Sequence, residues 1–134
     1  MLAVQENPPS WHSSSRLRLI RLQAEAEAAS EATKSIEREA GTLNARLTDL
    51  RPVLRTAEEA RAVLQRSGLP ADDPRAVKAQ TAIDAVRAEI EATSRALEDA
   101  RLRYTETREL SNARIRLAYD AKQALRACGV TGVN

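Results

Sequence analysis

From Leu19 to Leu64 apolar residues recur at alternating three- and four-residue steps: Leu19, Leu22, Ala26, Ala29, Thr33, Ile36, Ala40, Leu43, Leu47, Leu50, Leu54, Ala57, Arg61 and Leu64, with only Thr33 and Arg61 polar. A pattern held that long is the heptad repeat of a helix packed along one seam against another helix. A second ladder runs through Ala79, Ile83, Val86, Ile90, Thr93, Leu97, Ala100 and Tyr104. Read head to tail, the two ladders match: Ala57 with Ile83, Leu54 with Val86, Leu50 with Ile90, Leu43 with Leu97 and Ile36 with Tyr104, each pair of numbers summing to 140. The pattern predicts an all-α fold, a long antiparallel two-helix coiled-coil hairpin with an extended N-terminal arm.

Beyond Tyr104 the apolar residues continue as Thr107, Leu110, Leu117, Ala121, Ala124 and Cys128. This reading takes a three-residue step where four is due, a stammer that overwinds the supercoil locally. The stretch 26–33 against 107–114, lined by small residues, is expected to be the softest part of the hairpin. Pro52 inside the first helix removes a backbone hydrogen bond and predicts a kink near residues 48–52, without chain reversal because the heptad phase passes through it.

Local signals set the boundaries. Residues 1–12 contain Pro8 and Pro9 and read as an extended arm; Ser13, Ser14 and Ser15 offer N-cap side chains, so the first helix is expected over 13–66. Ser67, Gly68, Leu69 and Pro70 form a stop signal within a turn at 67–73. Asp72 or Asp73 caps the second helix, with Pro74 at its first position, and that helix is expected over 74–128, leaving a tail at 129–134. Charge supports the same register. It sets Glu39 opposite Arg101, Glu37 opposite Arg103, Glu31 near Arg108, Glu25 between Arg114 and Arg116, Arg51 opposite Glu89 and Arg55 near Asp84. A parallel homodimer would instead set the acidic residues between Glu25 and Glu39 against their own copies.

Composition agrees with a thin, helical chain. Among 134 residues there are 25 alanines, no Phe, one Trp and two Tyr, too few large side chains for a thick globular core. The net charge of +2 is a weak nucleic-acid signature. One cysteine excludes an intrachain disulfide framework. The first twenty residues lack the apolar core of a signal peptide, and no segment reaches the roughly 18–20 apolar residues of a membrane span.

The residues suggest no catalytic constellation, cofactor or metal site. His12 is the single histidine, Cys128 has no CxxC partner, and Glu58–Glu59 and Asp72–Asp73 read as a solvated face and a helix cap. The end of the hairpin that holds both termini is richer. Leu17, Ile20, Ile115 and Leu125 lie off the expected seam, and Arg16, Arg18, Arg21, Arg114, Arg116, Lys122 and Arg126 gather around them. Apolar surface rimmed with arginine is the composition of a docking site. The candidate partner-binding residues are Trp11, Arg16, Leu17, Ile20, Arg21, Arg114, Ile115, Arg116, Leu125 and Arg126, with Trp11 the strongest single anchor. Cys128 is the candidate for an intermolecular disulfide.

The expected function is therefore a non-enzymatic structural or assembly subunit, a rigid helical spacer anchored through its terminal end to other protein subunits, copies of itself included. A virion component of the capsid, tail or ejection apparatus is the first specific expectation. Otherwise a cytoplasmic setting is expected, with no membrane partner. In outline the hairpin resembles the coiled-coil chaperone and stalk subunits of secretion and flagellar export machines, which is the first alternative. A nucleic-acid-binding hairpin, similar to the helical arm of seryl-tRNA synthetases, is the second. It ranks lower because the Arg-rich end carries only Tyr119 and Trp11 for stacking.

Overall fold

A computed structural model describes the backbone of residues 10–129 and the side chains of residues 13–129. Two long helices, α1 (Ser10–Arg66) and α2 (Pro74–Ala127), pack against each other as an all-α hairpin, with no strand among the described residues. Contacts divide the chain into two units. The turn unit is Ile36–Arg103, and the terminal unit comprises residues 10–35 and 104–129.

The turn follows from its residues. Gly68 adopts a left-handed φ of 79°, its N–H donates to the Gln65 carbonyl at 3.0 Å, and the Leu69 N–H donates to the Leu64 carbonyl at 3.4 Å. These two bonds satisfy carbonyls that the end of α1 would otherwise leave orphaned. Four residues later the Asp73 carboxylate accepts from the Arg75 N–H at 2.9 Å and caps α2, with Pro74 at the first helical position. The Arg75 guanidinium also donates to Asp73, and these hydrogen bonds hold the Asp73 carboxyl below the usual carboxylate range.

In the turn unit Leu47, Leu50, Ile83, Leu97 and Ala100 are buried, and Ile83 and Ala100 are wholly inaccessible. All five are on the expected ladders. Ion pairs between the helices hold the same register: Arg103 to Glu39 at 2.9 Å, Arg87 to Glu58 at 3.7 Å, and Arg46 to Glu89. Each sum of residue numbers falls within about five of 140. These pairs differ from the expected ones, in which Arg103 was opposite Glu37 and Glu89 opposite Arg51. Arginine is long enough to reach a residue one step along the flank. Arg61, a polar member of the seam, donates to the Gln80 side-chain oxygen at 2.9 Å. α1 runs through Pro52 as helix, and Pro52 itself is exposed.

Two expectations are corrected. α1 begins at Ser10 and so includes Trp11 and His12, which were assigned to the arm. The pre-proline restriction pushes a residue out of the helical region, and none of Ser10, Trp11 and His12 precedes a proline. The larger correction concerns the seam of α2. Burial follows Leu97, Ala100, Tyr104, Thr107, Ser111, Arg114, Ala118, Ala121 and Leu125, a heptad phase with no missing residue, and the stammer does not exist. Leu110 and Leu117, expected inside, are exposed, while Ser111 and Ala118 are buried. Keeping one phase lets each side chain drop into the next hole of the facing helix, which a stammer would break for several layers.

Candidate partner-binding surface

The terminal unit is a thin hairpin. On α1 its buried residues are Leu19, Leu22, Ala26 and Ala29; on α2 they are Ser111, Ala118 and Leu125. Leu19 and Leu125 pack together with Ala121 against them. Three of the α2 seam positions, Thr107, Ser111 and Arg114, are polar. Ser111 is small enough to share a layer with Ala29, its register partner. The aliphatic stem of Arg114 covers the seam while its guanidinium reaches Glu25 at 3.9 Å on the flank.

The outer face of α1 is apolar where it need not be. Leu17 and Ile20, 68% and 61% exposed, stand one turn apart on the side away from the seam, with Arg16, Arg18 and Arg21 exposed around them. On α2, Ile115 and Tyr119 are exposed one turn apart, with Arg116 and Arg126 exposed and Lys122 half-buried nearby. The register sets Ile20 beside Tyr119. Four large apolar side chains and six cations thus occupy one region of this unit.

Of the sequence-derived candidates, Arg16, Leu17, Ile20, Arg21, Ile115, Arg116 and Arg126 are exposed there. Arg114 is half-buried in its pair with Glu25. Leu125 is a correction: at 4% exposed it belongs to the seam and has no surface to offer a partner. The Trp11 and His12 side chains lie outside the described residues. Cys128 is exposed, with a free thiol open to a second chain. Tyr119 was weighed in the sequence only as a stacking residue; its spacing of four from Ile115 is the signal that groups it with the apolar surface.

Elsewhere the described residues line open surface grooves. One, about 470 Å³, is an open furrow along α1 lined by Arg51, Leu54, Arg55, Glu58, Glu59 and Ala62. No group of three metal-ligating side chains exists among the described residues, and none of their helices is long and apolar enough to cross a membrane. Comparison with known proteins finds no matching family model, no similar curated protein and no similar solved structure.

Proposed function

We propose that this chain is a non-enzymatic assembly subunit that docks onto an acidic, partly apolar face of another protein through the outer surface of its terminal unit. The observation that carries the reading is the exposure of Leu17 and Ile20 among Arg16, Arg18 and Arg21. Large apolar side chains ringed by arginine are the composition of an interface centre and its rim. Charge distribution supports it. The turn unit has equal numbers of acidic and basic residues, so the whole net charge of +2 belongs to the other unit and its terminal segments. A virion is the specific setting we propose for such a subunit, held there in fixed stoichiometry.

The test is to recover the intact chain from its native source at moderate salt, identify what accompanies it by mass spectrometry, and repeat the capture with Leu17→Asp and Ile20→Asp. A constant set of partner proteins that both variants lose supports the reading and names the assembly. A partner that binds and releases reversibly would instead make the chain an export-type chaperone. Recovery with nucleic acid whose affinity falls steeply with salt would favour the Arg-rich nucleic-acid hairpin.

A further inference from the structure

Between Glu106 and Ala124, α2 carries a second ladder that α1 does not cover. Leu110, Ala113, Leu117, Asp120 and Ala124 follow at three- and four-residue steps, each one residue ahead of a seam residue, and all five are exposed. One residue is about 100° of helix rotation, so this ladder forms a flank beside the seam. Arg18 and Ala124 line one groove, which identifies the side of α1 that borders the flank. Heptad steps from Arg18 add Arg21, Glu25, Ala28 and Ala32 to it, all exposed except Glu25, which is half-buried in its pair with Arg114. The unusual feature is the distribution of apolar residues. Leu110 and Leu117, 48% and 50% exposed, are left outside while Ser111 and Arg114 take the adjoining seam positions.

We propose that a second copy of this chain covers this flank, the two α2 helices running antiparallel about a two-fold axis near Ala113 and Arg114. Leu110 then packs on Leu117 of the second copy, and Leu117 on its Leu110. Charge selects the occupant and the direction. Glu109 and Arg116 are exposed one heptad apart on the outer face. Antiparallel pairing sets Glu109 against Arg116 of the second copy and Arg116 against its Glu109, whereas parallel in-register pairing sets each against its own kind. The arrangement contains two symmetry-related like-charged contacts, Glu106 with Asp120 of the second copy and Asp120 with its Glu106. Arg21 stands beside Asp120 in the hairpin register and faces both acids.

The strip is about 28 Å long and about 20 Å wide, two helices across, so two copies bury on the order of 1,100 Å² in all. That is the low end for a specific interface and fits a reversible dimer. Arg18, Arg21 and Arg116 border both surfaces, but the apolar residues differ, Leu110 and Leu117 here against Leu17, Ile20 and Tyr119 there, so the dimer stands apart from the function proposed above. It also keeps the two Cys128 thiols roughly 40 Å apart, because each lies about fourteen residues from the axis.

Sedimentation equilibrium of the full chain under reducing conditions tests this. A monomer–dimer equilibrium in the range of about 10–100 μM is expected. Leu117→Glu is expected to weaken it at least about fiftyfold, with helicity unchanged by circular dichroism. Glu109→Arg and Arg116→Glu alone should each weaken it about fivefold, and the double variant should restore it, since the swapped charges again meet opposites. Leu17→Asp and Cys128→Ser should leave it unchanged. A chain that stays monomeric to about 200 μM, a dimer indifferent to Leu117→Glu, or a double variant no better than the singles overturns the proposal.

Discussion

The register of the terminal unit is open to a direct thermodynamic test, because two leucines of α2 exchange roles between the apolar ladder and the structure. Leu125 is 4% exposed against Leu19 and Ala121, whereas Leu117 is half out in solvent. Leu125→Ala removes three buried carbons at about 0.8 kcal/mol each and leaves a partial void. The site lies in the last turn of α2 and its surroundings can relax, so the expected loss is about 2 kcal/mol, the lower end of the range for a buried leucine. Leu117→Ala forfeits only the covered half of its side chain and opens no void, so about 1 kcal/mol or less is expected. The assay is urea unfolding followed by far-ultraviolet circular dichroism, at a chain concentration where sedimentation finds a monomer. A Leu117→Ala cost equal to or above that of Leu125→Ala would refute the uninterrupted heptad phase and return Leu117 to the seam.

In the turn unit, Ile83→Ala should cost about 2–5 kcal/mol in the same assay, while Val63→Ala, half exposed, should stay within about 1 kcal/mol. Gly68→Ala should lower the melting temperature, because its φ of 79° is strained for any side chain although the space around it is open; an unchanged melting temperature would count against the left-handed stop. The Asp73 carboxyl is held low by Arg75, so its contribution is fully present above the unfolded carboxylate pKa of about 4 and is lost as pH falls through the depressed folded value. Asp73→Ala should therefore lower stability at neutral pH and show a smaller further loss on acidification than the parent chain. Native-state titration of Cys128 with a thiol reagent should reach one thiol per chain without denaturant.

Much of this protein could be read from its residues because long-range order here is a one-dimensional repeat. Two heptad ladders, a Ser-Gly-Leu-Pro stop and an Asp-Pro start determine a hairpin, and once the turn is placed the register follows. The ion pairs of Arg103, Arg87 and Arg114 lie where that register puts acidic and basic residues near each other. Only the folded arrangement decided which acid each arginine takes, since neighbouring flank residues lie within reach of the same side chain.

Between residues 107 and 125 the sequence contains two overlapping ladders, and hydrophobicity alone favours the one with Leu110 and Leu117. The packed helices choose the other. Interlocking side chains keep their phase from layer to layer, Ser111 fits the narrow layer of Ala29, and Arg114 can pair with Glu25 on the flank. The more apolar ladder is thereby left on the surface. A one-dimensional pattern determined that these helices pair; only packing decided which face of α2 the pairing buries and which it leaves for another molecule, because burial depends on the partner's shape at each layer as well as on the residue itself.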